Sequence, residues 1–393
     1  SSDLHQLKQQ MRRALQSSKH QIMNQCLASL DERTAASDLL RTLKPFIGPT
    51  SMKQQKKQTL PLIHDAEQQP CTLPTEAMGV WISFFQHMEG GQRVSLEQLR
   101  EDWIQDLHSL RQEECHVSIS EVPTLVDMEI ALRRVPNHKA RGPDDIPGEV
   151  CHLHADFLAV NMYTQMMKVA IHGQEPLLYK GGRLVPAYKG KGETSQVTSY
   201  RSLLISSHLG KTIHRSLRQH QAQVYEHFLQ AQQLGGRRKV PVQLALHQAR
   251  AFLRRAKDCG LSAGLLFLDL TEAFYRILRE ISMGGKPTDE LLVFVLHRLN
   301  LPPDTMQDLH QLLDERTALQ QAGLSFTARN CIRAIHRNTH FWMQGQADVV
   351  ATHLGTRPGD SFADLIFGFT WSVVLQKLQG FLEDHNIIDR KSV

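Results

Sequence analysis

Residues 266–274 read Leu-Phe-Leu-Asp-Leu-Thr-Glu-Ala-Phe. An unbroken apolar run ends on a single carboxylate, Asp269, and an Ala-Phe pair then opens a helical pattern. The run predicts a buried strand. An ionised Asp at the end of such a strand is costly unless something pairs with it, and a divalent cation is the usual partner. A capped strand end is the ordinary alternative, because many parallel strands finish on an Asp.

Working outward, residues 355–361 read Gly-Thr-Arg-Pro-Gly-Asp-Ser and precede a helix with Phe362, Leu365, Ile366, Phe369 and Val373 on its apolar face. The expected end of that helix is Gly380; a helical stretch over 75–112 broken at Gly90-Gly91, one helix over about 149–171 and mostly helix over 287–345 are also expected. Upstream, residues 184–192 (Leu-Val-Pro-Ala-Tyr-Lys-Gly-Lys-Gly) and 199–204 (Ser-Tyr-Arg-Ser-Leu-Leu) predict a hairpin carrying Lys189 and Arg201. Such a hairpin can clamp a triphosphate, since Arg gives bidentate bonds and Lys a mobile point charge. Earlier still, residues 138–147 read His-Lys-Ala-Arg-Gly-Pro-Asp-Asp-Ile-Pro. Gly and Pro let this backbone approach a partner closely, while Lys139 and Arg141 can neutralise phosphates. Residues 232–238, Gln-Gln-Leu-Gly-Gly-Arg-Arg, add Arg237 and Arg238 to the same inventory.

Taken in this order, the segments resemble the reverse transcriptase domain of non-LTR, LINE-type retroelements. Residues 138–147 are similar to the family's Gly-Lys-Ala-x-Gly-Pro-Asp-x-Ile-Pro signature, with His138 in place of the leading Gly. The hairpin is similar to the fingers segment Ile-Pro-Lys-x-Gly…Tyr-Arg-Pro-Ile-Ser, with Ser202 and Leu203 replacing Pro-Ile. Residues 232–238 loosely resemble Gln-x-Gly-Phe-Arg without its aromatic. Residues 355–361 resemble Gly-x-Arg-Gln-Gly-Asp-Pro, with Pro358 at the Gln position. The resemblance implies Asp269 as a metal ligand for Mg²⁺, and Phe274 beneath the sugar of the incoming nucleotide. It implies Lys189 and Arg201 on the triphosphate, and Gly359 against nucleotide and template. Tyr275 stands where a second Asp is usual.

The implied fold is α+β and helix-rich: right-hand polymerase-like fingers and partial palm with an N-terminal helical extension. The expected organisation is N-terminal helices over 1–45, a connector and helical pre-fingers region over 46–122, fingers over 123–260, and partial palm with a helical insertion over 261–393. Two-metal phosphoryl transfer takes carboxylates from at least two places. The family supplies the remainder from an aromatic-x-Asp-Asp hairpin, and residues 360–393 contain no such motif; Leu382-Glu383-Asp384-His385 does not match it. Two readings follow. The first is a reverse-transcriptase-derived, non-catalytic protein that binds RNA or an RNA/DNA hybrid, or serves as a structural part of a larger assembly with protein partners. The second is a fragment of an active RNA-directed DNA polymerase.

Composition agrees with both. Of 393 residues 41% are hydrophobic, and mean hydropathy is −0.33, which are globular values. No membrane span is expected, since the strongest apolar stretch, 365–375, is short. Net charge is +5, but the cations cluster: Arg133-Arg134 with Lys139 and Arg141, Lys189 with Lys191, Lys211 with Arg215 and Arg218, Arg254-Arg255. Clustering of this kind suits a phosphate-lined track; a solvated helix face is the ordinary explanation for any single cluster. Six unpaired-looking cysteines point to scattered thiols in a reducing intracellular compartment. Cys151-x-x-His154 lacks a second pair at zinc spacing and reads as helix surface. At the N-terminus, Ser2 or Asp3 caps an expected helix striped by Leu4, Leu7, Met11 and Leu15.

Overall fold

The computed structural model describes residues 62–110, 117–231, 233–237, 240–265, 270, 272–285, 287, 289–299, 302–357 and 359–385, with 17, 21 and 24 besides. The chain divides into two compact units, Ser1–Pro61 and Leu62–Val393. In the first, residues 17, 21 and 24 are helical and exposed. The expected N-terminal helices and most of the connector lie outside the described residues, as do Asp269, Pro358 and Arg238.

The second unit is helix-rich α+β, with a mixed five-stranded sheet. Chain order begins with α1 (Pro74–Met88), β1 (Gly91–Val94) and α2 (Leu96–Leu110), then α3 (Leu125–Arg133), α4 (Gly148–Leu153) and α5 (Ala155–His172). The hairpin β2 (Gly181–Tyr188) and β3 (Tyr200–Ser206) follows, leading into α6 (His208–His220), α7 (Ala222–Phe228) and α8 (Val242–Asp258). After residue 270 come α9 (Arg279–Met283), α10 (Asp289–Leu299), α11 (Met306–Asp314), α12 (Ala318–Gln321) and α13 (Phe326–His336). Strands β4 (Thr339–Trp342) and β5 (Val349–Thr352) precede the long α14 (Ala363–Asp384).

Spatial strand order is β1-β5-β4-β2-β3, antiparallel except for β2 against β4, where Gly182 pairs Phe341. Alternation puts Leu184, Phe341 and Val350 on one face, beneath Ile82, Phe85 and Met88 of α1. Val349 and Ala351 face the other way, onto Leu99 of α2. The short β1 therefore carries the chain from one side of the sheet to the other.

The helical core lies beside this sheet. Residues Ala155, Ala159, Met162, Met166 and Val169 recur at helical spacing and give α5 its buried face. They pack with Met128 and Leu132 of α3, Ile213 and Leu217 of α6, Ile332 and Ile335 of α13, and Ile366 and Phe369 of α14. Phe362, Ile335, Ile213 and Phe369 are fully excluded from solvent. Among the described residues one helix, Ala363–Asp384, is long and apolar enough to cross a membrane by length and composition. Its buried residues, including Ala363, Leu365, Ile366 and Phe369, belong to this core.

Several boundaries differ from the sequence expectation. The stretch 287–345, expected to be mostly helical, ends in β4, and β5 has no counterpart among the expected elements. Both strands are buried on both faces, so they show no alternation. The expected break at Gly90-Gly91 starts strand β1 instead of merely ending a helix. The single helix expected over 149–171 is interrupted at His154 (φ −114°, ψ 34°). Helix α14 passes Gly380 and ends at Asp384, because space around Gly380 is open and a helical glycine costs only about 1 kcal/mol.

Candidate nucleic-acid interface

The hairpin runs in continuous register from Gly182 opposite Ser206 to Tyr188 opposite Tyr200. Tyr200 and Ser202 turn inward, while Arg201 and Leu203 turn out, Leu203 being half exposed. Arg201 has no hydrogen-bond or ion-pair partner among the described residues and is exposed. Lys189 lies in the connection, its amide bonded to Ser199 O at 2.9 Å and its Nζ to Thr198 O at 2.7 Å. One carbonyl leaves two ammonium donors of Lys189 available. Gly190 and Gly192 supply the positive φ of 78° and 83° that this tight connection takes.

The loop 138–147 is docked on the far end of the same strand. A Cβ on Gly142 would lie 2.6 Å from Ser207 Cα and 2.8 Å from Ser206 O, so only glycine fits. Ser207 Oγ donates to Asp144 Oδ2 at 2.5 Å and accepts from the Leu209 and Gly210 amides, capping α6. At the loop's other end the His138 amide bonds Glu149 Oε1 at 2.6 Å. Lys139 and Arg141 are both exposed, their side chains without a hydrogen-bond partner among the described residues.

The two late segments meet each other and the hairpin. Thr356 N donates to Phe274 O at 3.0 Å and Gly355 N to Ile277 O at 2.9 Å. Gly355 has φ 75°, and a Cβ there would lie 2.8 Å from Phe274 O. Tyr275 is buried among Leu184, Phe341 and Val350, and its hydroxyl bonds Ser202 Oγ on β3. Burial, reinforced by the nearby Glu89 carboxyl, pushes the Tyr275 phenol upward, so it stays neutral. An Asp could not take this place without burying a charge. Phe274 is half-buried, its ring 5.2 Å from that of Phe367. At Gly359 (φ 97°) a Cβ would lie 3.8 Å from Leu204 O on β3.

Beneath this surface lies an ionic hub that the sequence did not disclose. The last carbonyls of α13, orphaned by helix geometry, are taken by three buried cations. Lys180 Nζ donates to Ala334 O and to Arg337 O, Arg357 Nη1 to Ile335 O at 3.4 Å, and Arg279 Nη1 to His336 O at 2.8 Å. Arg279 also reaches the carbonyls of Thr352, Leu354 and Gly355. Burial lowers the Lys180 ammonium to about 8, with Glu175 opposing the shift. His214 is bonded on both sides, Nδ1 to Asp360 Oδ2 and Nε2 to Glu175 Oε1, each at 2.5 Å. Burial alone would depress this imidazole; Asp360 and Glu175 raise it to about 9. The Asp360 carboxyl, which burial would raise, is held well below the carboxylate range by His214.

The remaining expected residues are distributed otherwise. Arg237 turns one Nη2 onto Leu229 O and Gln230 O at the end of α7, and Gln233 bonds Gly368 O and Ser372 on α14. Gln233 therefore ties this stretch to α14, and Arg237 ties it to the end of α7. Among the described residues no group of three or more His, Cys, Asp or Glu is arranged to hold a metal ion. Cys151 is buried in the core and His152 bonds Arg133 O, so the Cys151–His154 spacing belongs to packing and surface. Among the described residues Cys71, Cys151, Cys259 and Cys331 form no disulfide. The basic residues of α8, including Arg250 and Arg254, are mostly exposed. No protein-family model matches the chain, and no curated protein is significantly similar to it.

Proposed function

We propose that residues 123–385 form the fingers and adjoining palm of a reverse-transcriptase-like fold, which binds RNA or an RNA/DNA hybrid as a non-catalytic part of a larger assembly. One observation carries this reading. Three segments far apart in sequence gather at strand β3: Gly142 packs against Ser206 and Ser207, Tyr275 bonds Ser202, and Gly359 lies near Leu204 O while Gly355 of the same segment backs Phe274. These are the segments whose residues resemble the family. Lys139, Arg141 and Arg201 are exposed cationic residues of that same assembly, and Lys189 is a partly exposed one with one ammonium donor on Thr198 O.

Catalysis in such a fold would run on Mg²⁺, with Asp269 as one ligand. A single carboxylate does not fix two cations about 4 Å apart, and the described residues bring no further ligand group together. The residues at hand do not compose that centre, and no metal-dependent step follows from them. The retained Asp269, Phe274, Lys189 and Arg201 favour the second reading, a piece of an active polymerase.

The deciding experiment measures hybrid binding and primer extension on the same protein. Salt-sensitive binding without extension supports the non-catalytic reading. Extension with Mg²⁺ that Asp269→Ala abolishes replaces it with the polymerase reading. Absence of binding at low salt overturns the nucleic-acid role altogether.

A further inference from the structure

Both nitrogens of His214 meet a carboxylate oxygen at 2.5 Å, with the ring 1% exposed and Glu175 wholly buried. A neutral imidazole owns one N–H and would turn a lone pair on one of the two carboxylates. With both carboxyls ionised, only the imidazolium satisfies both contacts. The ring is thus a charged bridge from α6 to two other elements: the segment before β2, through Glu175, and the turn before α14, through Asp360.

That turn requires holding. Arg357 has φ 55°, a left-handed conformation that in a non-glycine residue persists only where surroundings enforce it, whereas Gly359 takes its φ of 97° freely. Asp360 is the anchor. Its Oδ2 meets His214 while its Oδ1 accepts the Phe362 amide at 3.0 Å at the start of α14. Several titratable or charged groups face the bridge: Lys180 Nζ lies 3.8 Å from Glu175 Oε2, Tyr179 is also near Glu175, and Arg357, Lys211, Arg218 and His336 interact with Asp360. With each ring nitrogen occupied by a carboxylate, the cluster has no nucleophile to activate, and its role is structural.

We propose that His214 is a positioning residue, which in its protonated form fastens the Gly359 turn against β3 and thereby sets the affinity of that surface for nucleic acid. The affinity half of this statement rests on the function proposed above; the fastening half does not. The sign of the pH dependence follows from the raised imidazole: the bridge is complete below an ordinary imidazole value of about 6.5 and is lost as pH climbs through about 9.

The test uses the full chain, with hydrogen-exchange protection of the peptide covering 355–362 and binding of a fluorescent RNA/DNA hybrid, both from pH 6 to 10 at fixed salt. Wild type should keep the peptide protected to about pH 8 and lose protection above about 9. His214→Gln should expose it by roughly tenfold or more at every pH up to about 8, converge with wild type above about 9, weaken hybrid binding several-fold in the lower range and flatten the pH profile. Equal protection in wild type and His214→Gln overturns the proposal. Should that variant fail to fold, the nitrogen NMR shifts of His214 in wild type decide: an imidazolium at pH 8 upholds the bridge and a neutral ring refutes it. Arg201→Ala separates the two claims. If neither it nor wild type binds hybrid while His214→Gln still frees the turn, the fastening stands and the nucleic-acid reading falls.

Discussion

At the residue scale, Arg279 is the cation on which the fold depends most directly. It is 8% exposed and bonds five oxygens from α13, β4, β5 and the segment beyond. Truncation to Ala orphans those carbonyls, and by analogy with broken buried ionic contacts should destabilise by about 3–5 kcal/mol, read from the urea midpoint. Arg279→Lys should recover little, because one ammonium cannot reach four directions as a guanidinium does. Tyr275→Phe removes a single buried hydrogen bond and should cost about 1 kcal/mol in the same titration. Tyr275→Asp, which restores the residue usual in the resembled family, should cost more, since it forces a carboxyl into an apolar site near Glu89. Positions 142, 189, 201, 274 and 359 stood out in the sequence because they fall in the segments that resemble the family's motifs. Glu175, Lys180, His214 and Arg279 were not. A buried charge has no compositional signature; in an apolar pattern it reads as one more polar interruption.

At the element scale, the helices were readable from their 3.6-residue stripes and the hairpin from its basic turn. Strands β4 and β5 escaped because four residues buried on both faces present no period at all. Glycine offers the clearest tests here. Gly355→Ala introduces a Cβ 2.8 Å from Phe274 O at φ 75° and should lower stability by roughly 1–3 kcal/mol. Gly235→Ala meets open space and should be nearly silent. Gly380→Ala, within α14 and equally unobstructed, should stabilise by about 0.5–1 kcal/mol. Thermal melts of the three variants give the ranking, and reversal of the first two would mean that the 355 turn is not packed against residue 274.

At the scale of the whole molecule, a modest net charge of +5 conceals a divided distribution. Arg279, Arg357 and Lys180 are interior and serve helix ends, whereas Lys139, Arg141 and Arg201 are outward. Hybrid binding should therefore follow the outward set alone. Replacing Lys139 and Arg141 together by Ala should reduce the slope of log affinity against log salt by about 1.8, at roughly 0.9 for each phosphate no longer neutralised. An unchanged slope would place the phosphate-binding residues elsewhere, for instance on the exposed arginines of α8.

The hub at the end of α13 also has a consequence for how the chain is made. Lys180 is joined to Arg337 across 157 residues of sequence. At a synthesis rate of about 5–20 residues per second, roughly 8–30 s separate the emergence of that lysine from its carbonyls. Through that interval the nascent β2–β3 hairpin has neither its parallel neighbour nor the helix end its ammonium serves. The ribosome-bound half must wait, solvated and unfinished, for the half that closes it.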